Sequence, residues 1–391
     1  MMSFNFDEKI DRRKTHSVKW SGGENELPMW VADMDFAVAP AIQNVLEKRV
    51  SQRIFGYNII PETWNESYVN WWETRHNLPL QKEWILFCAG VIPAISSVVR
   101  KMTMPGDNVV VLTPVYNIFY NSIVNNQRHV LASPLTYQEE NYTIDFADLA
   151  EKLARPETTL MIFCNPHNPI GHIWDSATLK KVGDLCLKNH VLLLSDEIHC
   201  DLAHLGKSYT PMLSVSEEIA QNTIMCVSPT KTFNLAGLQT SAIIIPNEKI
   251  RARVNRGINT DEVAEPNSFA IQAAMAAFNE GGPWLDELTV YLENNKNLLK
   301  KTLTEKIPEI KIIPADATYL AWLDCSAITS HTEKLCAILL EKTGLRLAAG
   351  SVYEGNGAKF IRWNYACPQS DLKDGLDRFI TGVKIFKDQL A

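Results

Sequence analysis

Short apolar runs alternate with amphipathic stretches through the middle of the chain. The runs are rich in valine, isoleucine and leucine with little polar alternation, a pattern typical of strands buried on both faces of a sheet. They lie at residues 109–112, 160–164, 191–195, 223–227 and 242–245, and helical stretches such as 176–189 separate several of them. This alternation predicts an α/β fold in which helices cover both faces of a mostly parallel sheet.

The pattern changes near residue 267. Long helical segments at 267–279 and 283–306 precede short strands around 311–314, 317–323 and 359–364, with a helix at 333–342 between them. This order predicts a smaller α+β domain. The first 40 or so residues lack strong periodicity, and we expect them to pack on it. The predicted large domain therefore spans residues 41–280, and a discontinuous small domain combines residues 1–40 and 281–391.

Composition narrows the class of protein. A chain of 391 residues exceeds the roughly 250–300 at which single cores stop growing, which agrees with two domains. The net charge of −7, without runs of like charge, disfavours a nucleic-acid partner. Eight cysteines without CxxC spacing indicate reduced thiols. With no signal-like N-terminus and no apolar stretch near the ~18 residues of a membrane span, we expect a cytoplasmic protein that does not insert into membranes.

Polar motifs follow three of the predicted strands. NPHNPIG begins at Asn165, DEIH begins at Asp196, and SPTKTFNLAG begins at Ser228. Open α/β sheets bind ligands beyond the carboxyl ends of their strands, so we expect Asn168, Asp196 and Lys231 to converge at one edge.

The chemistry of these three residues is that of a pyridoxal 5′-phosphate (PLP) site. A partly desolvated lysine has a lowered amine pKa and forms a Schiff base with an aldehyde, which is the role predicted for Lys231. A carboxylate such as Asp196 favours the protonated ring nitrogen that makes PLP an electron sink. The amide of Asn168 would hydrogen-bond the phenolate oxygen of the ring.

The rest of the cofactor also has candidate partners. The sequence CAGVIPA follows the apolar run 84–87 and opens a predicted helix. The backbone amides near Gly90, Val91 and Ile92 would meet the phosphate at the positive end of the helix dipole. Ser228 would add a hydroxyl, and Tyr116 would stack on the pyridine ring.

The ordered motifs NPxNPxG, DExH, SxxKxFNxAGL and FIRWN (360–364) resemble those of fold-type I, class I/II aminotransferases. The resemblance spans essentially the whole chain. LPMWVADMDF at 27–36 and GVIPAI at 90–95 are more narrowly similar to the MalY/PatB group of PLP-dependent C–S lyases, the cystathionine β-lyases.

The resemblance implies the roles already given for Lys231, Asp196, Asn168 and Tyr116 and adds others at the substrate. Arg362 would bind the substrate α-carboxylate bidentately, and Ala32 would lie at the substrate. Tyr57 would reach the phosphate or the reacting centre from the other subunit, which implies a homodimer.

Two positions depart from the aminotransferase pattern. Gln239 stands eight residues after the lysine, where many relatives have an arginine for the phosphate. His199, expected to contact the cofactor, stands where aminotransferases commonly have tyrosine. Histidine is usual there in the MalY/PatB group, so this departure favours the lyase.

Each residue taken alone has a simpler interpretation, and only their joint occurrence outweighs these. Lys231 or Arg362 would be a surface residue, Asp196 a helix cap, Asn168 or Gly90 a turn residue, and Tyr116 or Tyr57 a packing residue. His199 with Cys200 lacks the second ligand pair of a zinc site, so no metal is expected.

The predicted reaction acts on an amino acid whose α-proton Lys231 removes. A thiolate on the β-carbon would then leave, so that L-cystathionine or a related cysteine S-conjugate gives a thiol, pyruvate and ammonia. This predicts a carbon–sulfur lyase of amino-acid metabolism, in methionine biosynthesis. Without a leaving group the same site would catalyse transamination, so an aminotransferase is the alternative. A PLP-binding regulatory protein without turnover is an alternative of another class.

Overall fold

The computed structural model describes residues 3–389. Its strands are short, and most are apolar. In chain order they are β1 Leu27–Pro28, β2 Ile85–Cys88, β3 Asn108–Thr113, β4 His129–Gln138, β5 Asn141–Ile144, β6 Thr158–Cys164, β7 Leu192–Asp196, β8 Thr223–Val227, β9 Ser241–Ile244, β10 Lys311–Ile312, β11 Leu320–Asp324, β12 Leu345–Arg346, β13 Ala348–Ala349 and β14 Phe360–Asn364.

The helices lie between these strands and after them. They are α1 Pro40–Ser51, α2 Glu62–His76, α3 Val91–Met102, α4 Ile118–Val124, α5 Phe146–Leu153, α6 Ser176–Lys188, α7 Glu217–Gln221, α8 Pro229–Thr232, α9 Glu248–Thr260, α10 Ala270–Glu280, α11 Gly282–Lys306, α12 Thr332–Ile338 and α13 Gln369–Asp388. Side-chain oxygens of Asp145, Asp175 and Asn247 cap α5, α6 and α9 by accepting backbone N–H bonds. Among residues 3–389, none of the helices combines the length and apolarity of a membrane span.

Eight strands form the large sheet, in the order β2-β9-β8-β7-β6-β3-β4-β5. Strands β4, β3, β6, β7 and β8 are parallel neighbours in that order, whereas β9 is antiparallel to both β8 and β2. The predicted α/β fold with a mostly parallel sheet is confirmed. Because β9 runs the opposite way, it begins at the edge where β6, β7 and β8 end.

Both faces of this sheet are covered. In β8, Ile224 and Cys226 pack in one apolar core, and Met225 and Val227 pack in another on the opposite face. Burial of a large aliphatic side chain contributes about 1.5–3 kcal/mol, so a strand apolar on both faces strongly favours this central position. The apolar runs of the sequence are therefore explained by helices on both sides.

A smaller antiparallel sheet, β10-β11-β14-β13, follows in the C-terminal part. The N-terminal segment packs on this part: β1 pairs with β12, and the Met29 N–H donates to the Arg346 carbonyl at 2.9 Å. The predicted strand 317–323 begins later, at Leu320, because the amides of Asp316 and Ala317 bond to Gly171 instead. The domain division at residues 41 and 280 stays a prediction, which these contacts support.

Candidate active site

Most of the predicted site residues line one cavity of about 620 Å³ at the carboxyl edge of the large sheet. They are Ala32, Gly90, Val91, Ile92, Tyr116, Asn168, Asp196, His199, Lys231 and Arg362. Tyr57 and Ser228 lie outside this set. The tertiary fold thus gathers in one place residues that are separated by up to 330 positions in the chain.

Lys231 stands on the short helix α8, directly after the buried strand β8. Its amine donates a 2.6 Å hydrogen bond to the carbonyl of Ala32, which also accepts from the Tyr319 hydroxyl at 3.0 Å. Burial, with a further contribution from Arg362, lowers the pKa of Lys231 to about 8. The amine therefore loses its proton, and becomes nucleophilic, far more readily than an exposed lysine.

Asp196 ends strand β7, between Cys164 and Cys226 on the two neighbouring strands. Its carboxylate accepts one bond, from the Ile198 N–H at 3.2 Å. Burial raises the pKa of Asp196 to about 7. A cation placed against this carboxylate would favour its charged form, so the position suits a protonated ring nitrogen.

Arg362 reaches the cavity from β14 of the smaller sheet. Its two terminal nitrogens donate to the side-chain oxygen of Asn168 at 3.1 Å and to the carbonyl of Trp30 at 2.9 Å. The guanidinium carbon lies 4.9 Å from the ring centroid of Tyr353. Its buried Nε has no hydrogen-bond partner among residues 3–389. These contacts fix the orientation of the guanidinium and leave donor capacity for a carboxylate.

His199 is buried beside the same groups. Its ring lies edge-on to Tyr319, with the centroids 6.4 Å apart. Burial, then the nearby charges of Lys231 and Arg362, lower the pKa of His199 to about 3. The imidazole is therefore neutral, and its Nδ1 has no partner in the described part of the chain.

The amino end of α3 forms the opposite wall. Gly90 precedes the helix without a side-chain cap, and the first turn has no acidic residue. The amides of Val91 and Ile92 have no acceptor within the helix, because the first turn never does. The positive end of the helix dipole therefore faces the cavity, as an anion site requires.

Ser228 lies next to the cavity lining, and its hydroxyl bonds within the chain. Its hydroxyl donates to the carbonyl of Thr240 at 2.6 Å and accepts from the Thr230 N–H at 3.1 Å. Thr230 and Thr240 themselves line the cavity. The sequence analysis did not identify either threonine. Because β9 is antiparallel to β8, Thr240, which immediately precedes β9, lies at the edge of the sheet where β8 ends. A direct contact of Ser228 with phosphate stays a prediction.

Tyr57 lies on an exposed apolar segment, residues 54–60, and is not buried. The residue has 101% of its reference accessible area, and Ile54 and Ile59 have 74% and 81%. The fold does not bring Tyr57 into the cavity of its own chain.

A second polar network supports the helix that carries Lys231. The buried carboxylate of Asp201 accepts from Thr232 on α8 at 3.0 Å and from Trp71 at 2.9 Å, and it contacts His76 Nε2 at 2.8 Å. Burial opposes ionisation of Asp201, but these hydrogen bonds outweigh it and hold its pKa below the usual value. Asp196 and Asp201 are thus two buried carboxyl groups with opposite pKa shifts.

Comparison with known proteins places the chain in a family. The model of the family "aminotransferase class I and II" matches residues 17–379. Cystathionine β-lyase PatB of Bacillus subtilis is 42% identical over 96% of this chain and 98% of its own length. Cystalysin of Treponema denticola, solved with pyridoxal 5′-phosphate, has a TM-score of 0.95 at 32% identity and covers 98% of this chain and 100% of its own.

A third similar protein is the PLP-bound C–S lyase of Staphylococcus hominis, with a TM-score of 0.91 at 30% identity over 98% of each chain. These matches confirm the resemblance to the MalY/PatB group that the motifs indicated. The chain belongs to the aminotransferase class I and II family.

Proposed function

We propose that this protein is a PLP-dependent C–S β-lyase that cleaves L-cystathionine or related cysteine S-conjugates. The observation that carries the proposal is the meeting of Lys231, Asp196 and Arg362 in one cavity. The 42% identity to a relative named cystathionine β-lyase supports the choice of reaction.

The donors and acceptors of the cavity fit PLP. The Lys231 amine, with its lowered pKa, suits an aldehyde, and the desolvated Asp196 carboxyl suits a protonated pyridine nitrogen. The NH₂ group of Asn168 is left as a donor because its oxygen is taken by Arg362. The α3 amides suit a phosphate, and Tyr116 and His199 line the space where we expect the ring.

Each side chain would then have a defined task in the reaction. Arg362 binds the α-carboxylate of the amino acid and so orients its α-hydrogen. When bound, PLP would supply an electron sink for the α-carbon. Asp196 keeps the ring nitrogen protonated, which this electron sink requires. The neutral amine of Lys231 removes the α-proton and holds it as an ammonium.

The fate of the β-carbon distinguishes a lyase from an aminotransferase. When the β-carbon bears sulfur, its C–S bond breaks and the sulfur leaves with the electron pair as a thiolate. One water is consumed overall, so L-cystathionine and water give homocysteine, pyruvate and ammonia. The Lys231 ammonium would return the proton that the departing fragment needs.

We also propose that the active form is a homodimer in which Tyr57 enters the cavity of the partner subunit. The exposed apolar side chains at 54–60 support this, because such patches mark association surfaces. We place the enzyme in the cytoplasm and, since homocysteine is its product from cystathionine, in methionine biosynthesis.

A paired product assay tests the reaction. The purified protein with added PLP should release homocysteine and pyruvate from L-cystathionine in equal amounts, and K231A should release neither. Conversion of the cofactor to pyridoxamine phosphate by amino acids, without thiol release, would make the protein an aminotransferase. Cofactor binding without either reaction would favour the regulatory alternative.

A further inference from the structure

The phosphate end of the cavity lacks the positively charged side chain that an anion site usually has. Among the residues that line the cavity, the cationic ones are Lys231 and Arg362. Arg362 is held by Asn168 and Trp30, and Lys231 by Ala32. Gln239, which is neutral, occupies the position where many relatives have an arginine for the phosphate. Neutral donors must therefore hold the phosphate.

Thr240 has the properties of such a donor. Its residue is 0% exposed and lines the cavity, and its hydroxyl oxygen has no hydrogen-bond partner within residues 3–389. A buried hydroxyl without a partner costs about 1–3 kcal/mol, so a ligand that accepts from it gains a strong interaction.

The sheet places Thr240 beside the amino end of α3. Ser241 pairs with Cys88 across the antiparallel strands β9 and β2, and the Ser241 hydroxyl donates to the Cys88 carbonyl at 2.9 Å. Thr240 therefore stands opposite Ala89, one residue before Gly90. A phosphate that accepts from the α3 amides would therefore lie close to Thr240.

Ser228 fixes Thr240 from the other side. Its hydroxyl donates to the Thr240 carbonyl at 2.6 Å and also contacts the Thr230 hydroxyl at 2.8 Å. The hydroxyl of Ser228 is therefore engaged in holding the backbone of Thr240.

We propose that the Thr240 hydroxyl is a direct ligand of the cofactor phosphate, and that Ser228 is a positioning residue which acts through Thr240. This inference rests on the proposed function, since it assumes that PLP is the bound group. It assigns to Thr240 a role that the sequence motifs had given to Ser228.

The test compares PLP with pyridoxal, which has the same ring and aldehyde but no phosphate. Dissociation constants are measured by the absorbance of the cofactor joined to Lys231. T240V should raise the dissociation constant of PLP about 10-fold to 100-fold, because it removes a hydrogen bond to a charged group. It should leave the constant for pyridoxal unchanged. T240S keeps the hydroxyl and should restore PLP affinity.

Two controls separate this role from a general packing effect. T223V alters another buried threonine, at the far end of β8 and bonded to the Ile219 carbonyl, and should change neither constant. T240A gives a second route to the comparison should T240V fail to fold. Equal weakening of PLP and pyridoxal by T240V, or unchanged PLP affinity, would overturn the inference.

A double-mutant cycle tests the indirect role of Ser228. S228A should weaken PLP binding in the wild-type background and have little further effect in T240V, since both changes act on one contact. Additive effects would mean that Ser228 contacts the phosphate itself and would overturn its assignment. Absence of any PLP binding by the wild type would instead overturn the proposed function together with this inference.

Discussion

The cavity and the exposed segment 54–60 differ in how many contacts their side chains make within one chain. In the cavity, Lys231 and Arg362 already bond to carbonyls of the chain's own backbone. On the segment, Ile54, Tyr57 and Ile59 expose apolar surface that nothing in residues 3–389 covers. The difference teaches that one chain brings most of the proposed site residues together, whereas Tyr57 needs a second chain if it is to reach a cavity, as we propose.

Among the proposed substitutions in the cavity, replacement of Lys231 should have the largest effect on activity. K231A should lower the rate of cystathionine cleavage by about 10³-fold or more, because the proton acceptor is lost. The absorbance of the cofactor joined to lysine should disappear as well. The measurements are pyruvate release and the absorption spectrum of the protein with PLP; retention of both would remove Lys231 from the centre of the site.

The opposite pKa shifts of Asp196 and Asp201 predict opposite effects of pH on the stability of the protein. Asp196 has a folded-state pKa of about 7, above its unfolded value, so the cofactor-free protein loses stability as pH rises from about 4 to about 7. D196N removes the ionisable group, so it should abolish this loss. The free energy of unfolding of cofactor-free D196N, relative to that of the wild type, should therefore rise by up to about 4 kcal/mol between acidic pH and pH 8. Urea unfolding at pH 5 to 8 measures this.

D201N is the matched control for D196N. The pKa of Asp201 is lowered, so its charged form stabilises the fold above the unfolded pKa, and its replacement should destabilise the protein at neutral pH. Equal effects of the two substitutions would contradict the contrast between them. With PLP bound, the advantage of D196N should shrink, because the ring cation stabilises the Asp196 carboxylate.

Arg362 reaches the cavity from the smaller sheet and is the proposed ligand of the substrate carboxylate. R362L should lower kcat/KM for cystathionine about 100-fold, since a bidentate charge-assisted contact with the substrate carboxylate is lost. PLP affinity should change far less than kcat/KM. Steady-state kinetics together with a PLP titration separate the two, and an equal loss of both would show that Arg362 serves the cofactor site as a whole.

Mixing inactive variants tests the contrast between cavity and segment directly. Y57A and K231A homodimers should each be impaired, but co-expression gives heterodimers in which one site has both residues. Random pairing should restore about a quarter of wild-type activity.

The pair K231A and R362L is the control for that mixture. Both residues belong to the cavity of the same chain, so every site in the heterodimer lacks one of them and no activity should return. Pyruvate release by the purified mixtures measures both cases. Recovery with the control pair, or none with Y57A and K231A, would contradict the division between the two regions.

Local sequence predicted much of the site because of the parallel sheet. Asn168 and Lys231 follow β6 and β8, and Asp196 ends β7 between them. These strands are adjacent and parallel, so the end of each apolar run marks the same edge of the sheet. The observed bounds of β8, Thr223–Val227, coincide with the predicted run. The roles of these residues stay proposals until the variants are measured.

Other parts of the site depend on long-range packing that a local pattern does not contain. Thr240 looks like an ordinary residue before an apolar strand, and only the antiparallel pairing of β9 with β2 places it beside α3. The hydroxyl of Ser228 lies one residue before α8, and only the tertiary structure commits it to the Thr240 carbonyl.

The sequence by itself determined the α/β fold, the three motifs at the ends of parallel strands and the resemblance to a family of PLP enzymes. Periodicity and turn chemistry are local properties, so they can be identified without coordinates. The tertiary structure decided that Arg362 meets Asn168 across 194 positions, that the Ala32 carbonyl accepts from Lys231, and that Tyr57 stays outside. These outcomes depend on how two sheets and an N-terminal segment pack together. The burial of each side chain, the direction in which it points and its pKa arise only from that packing.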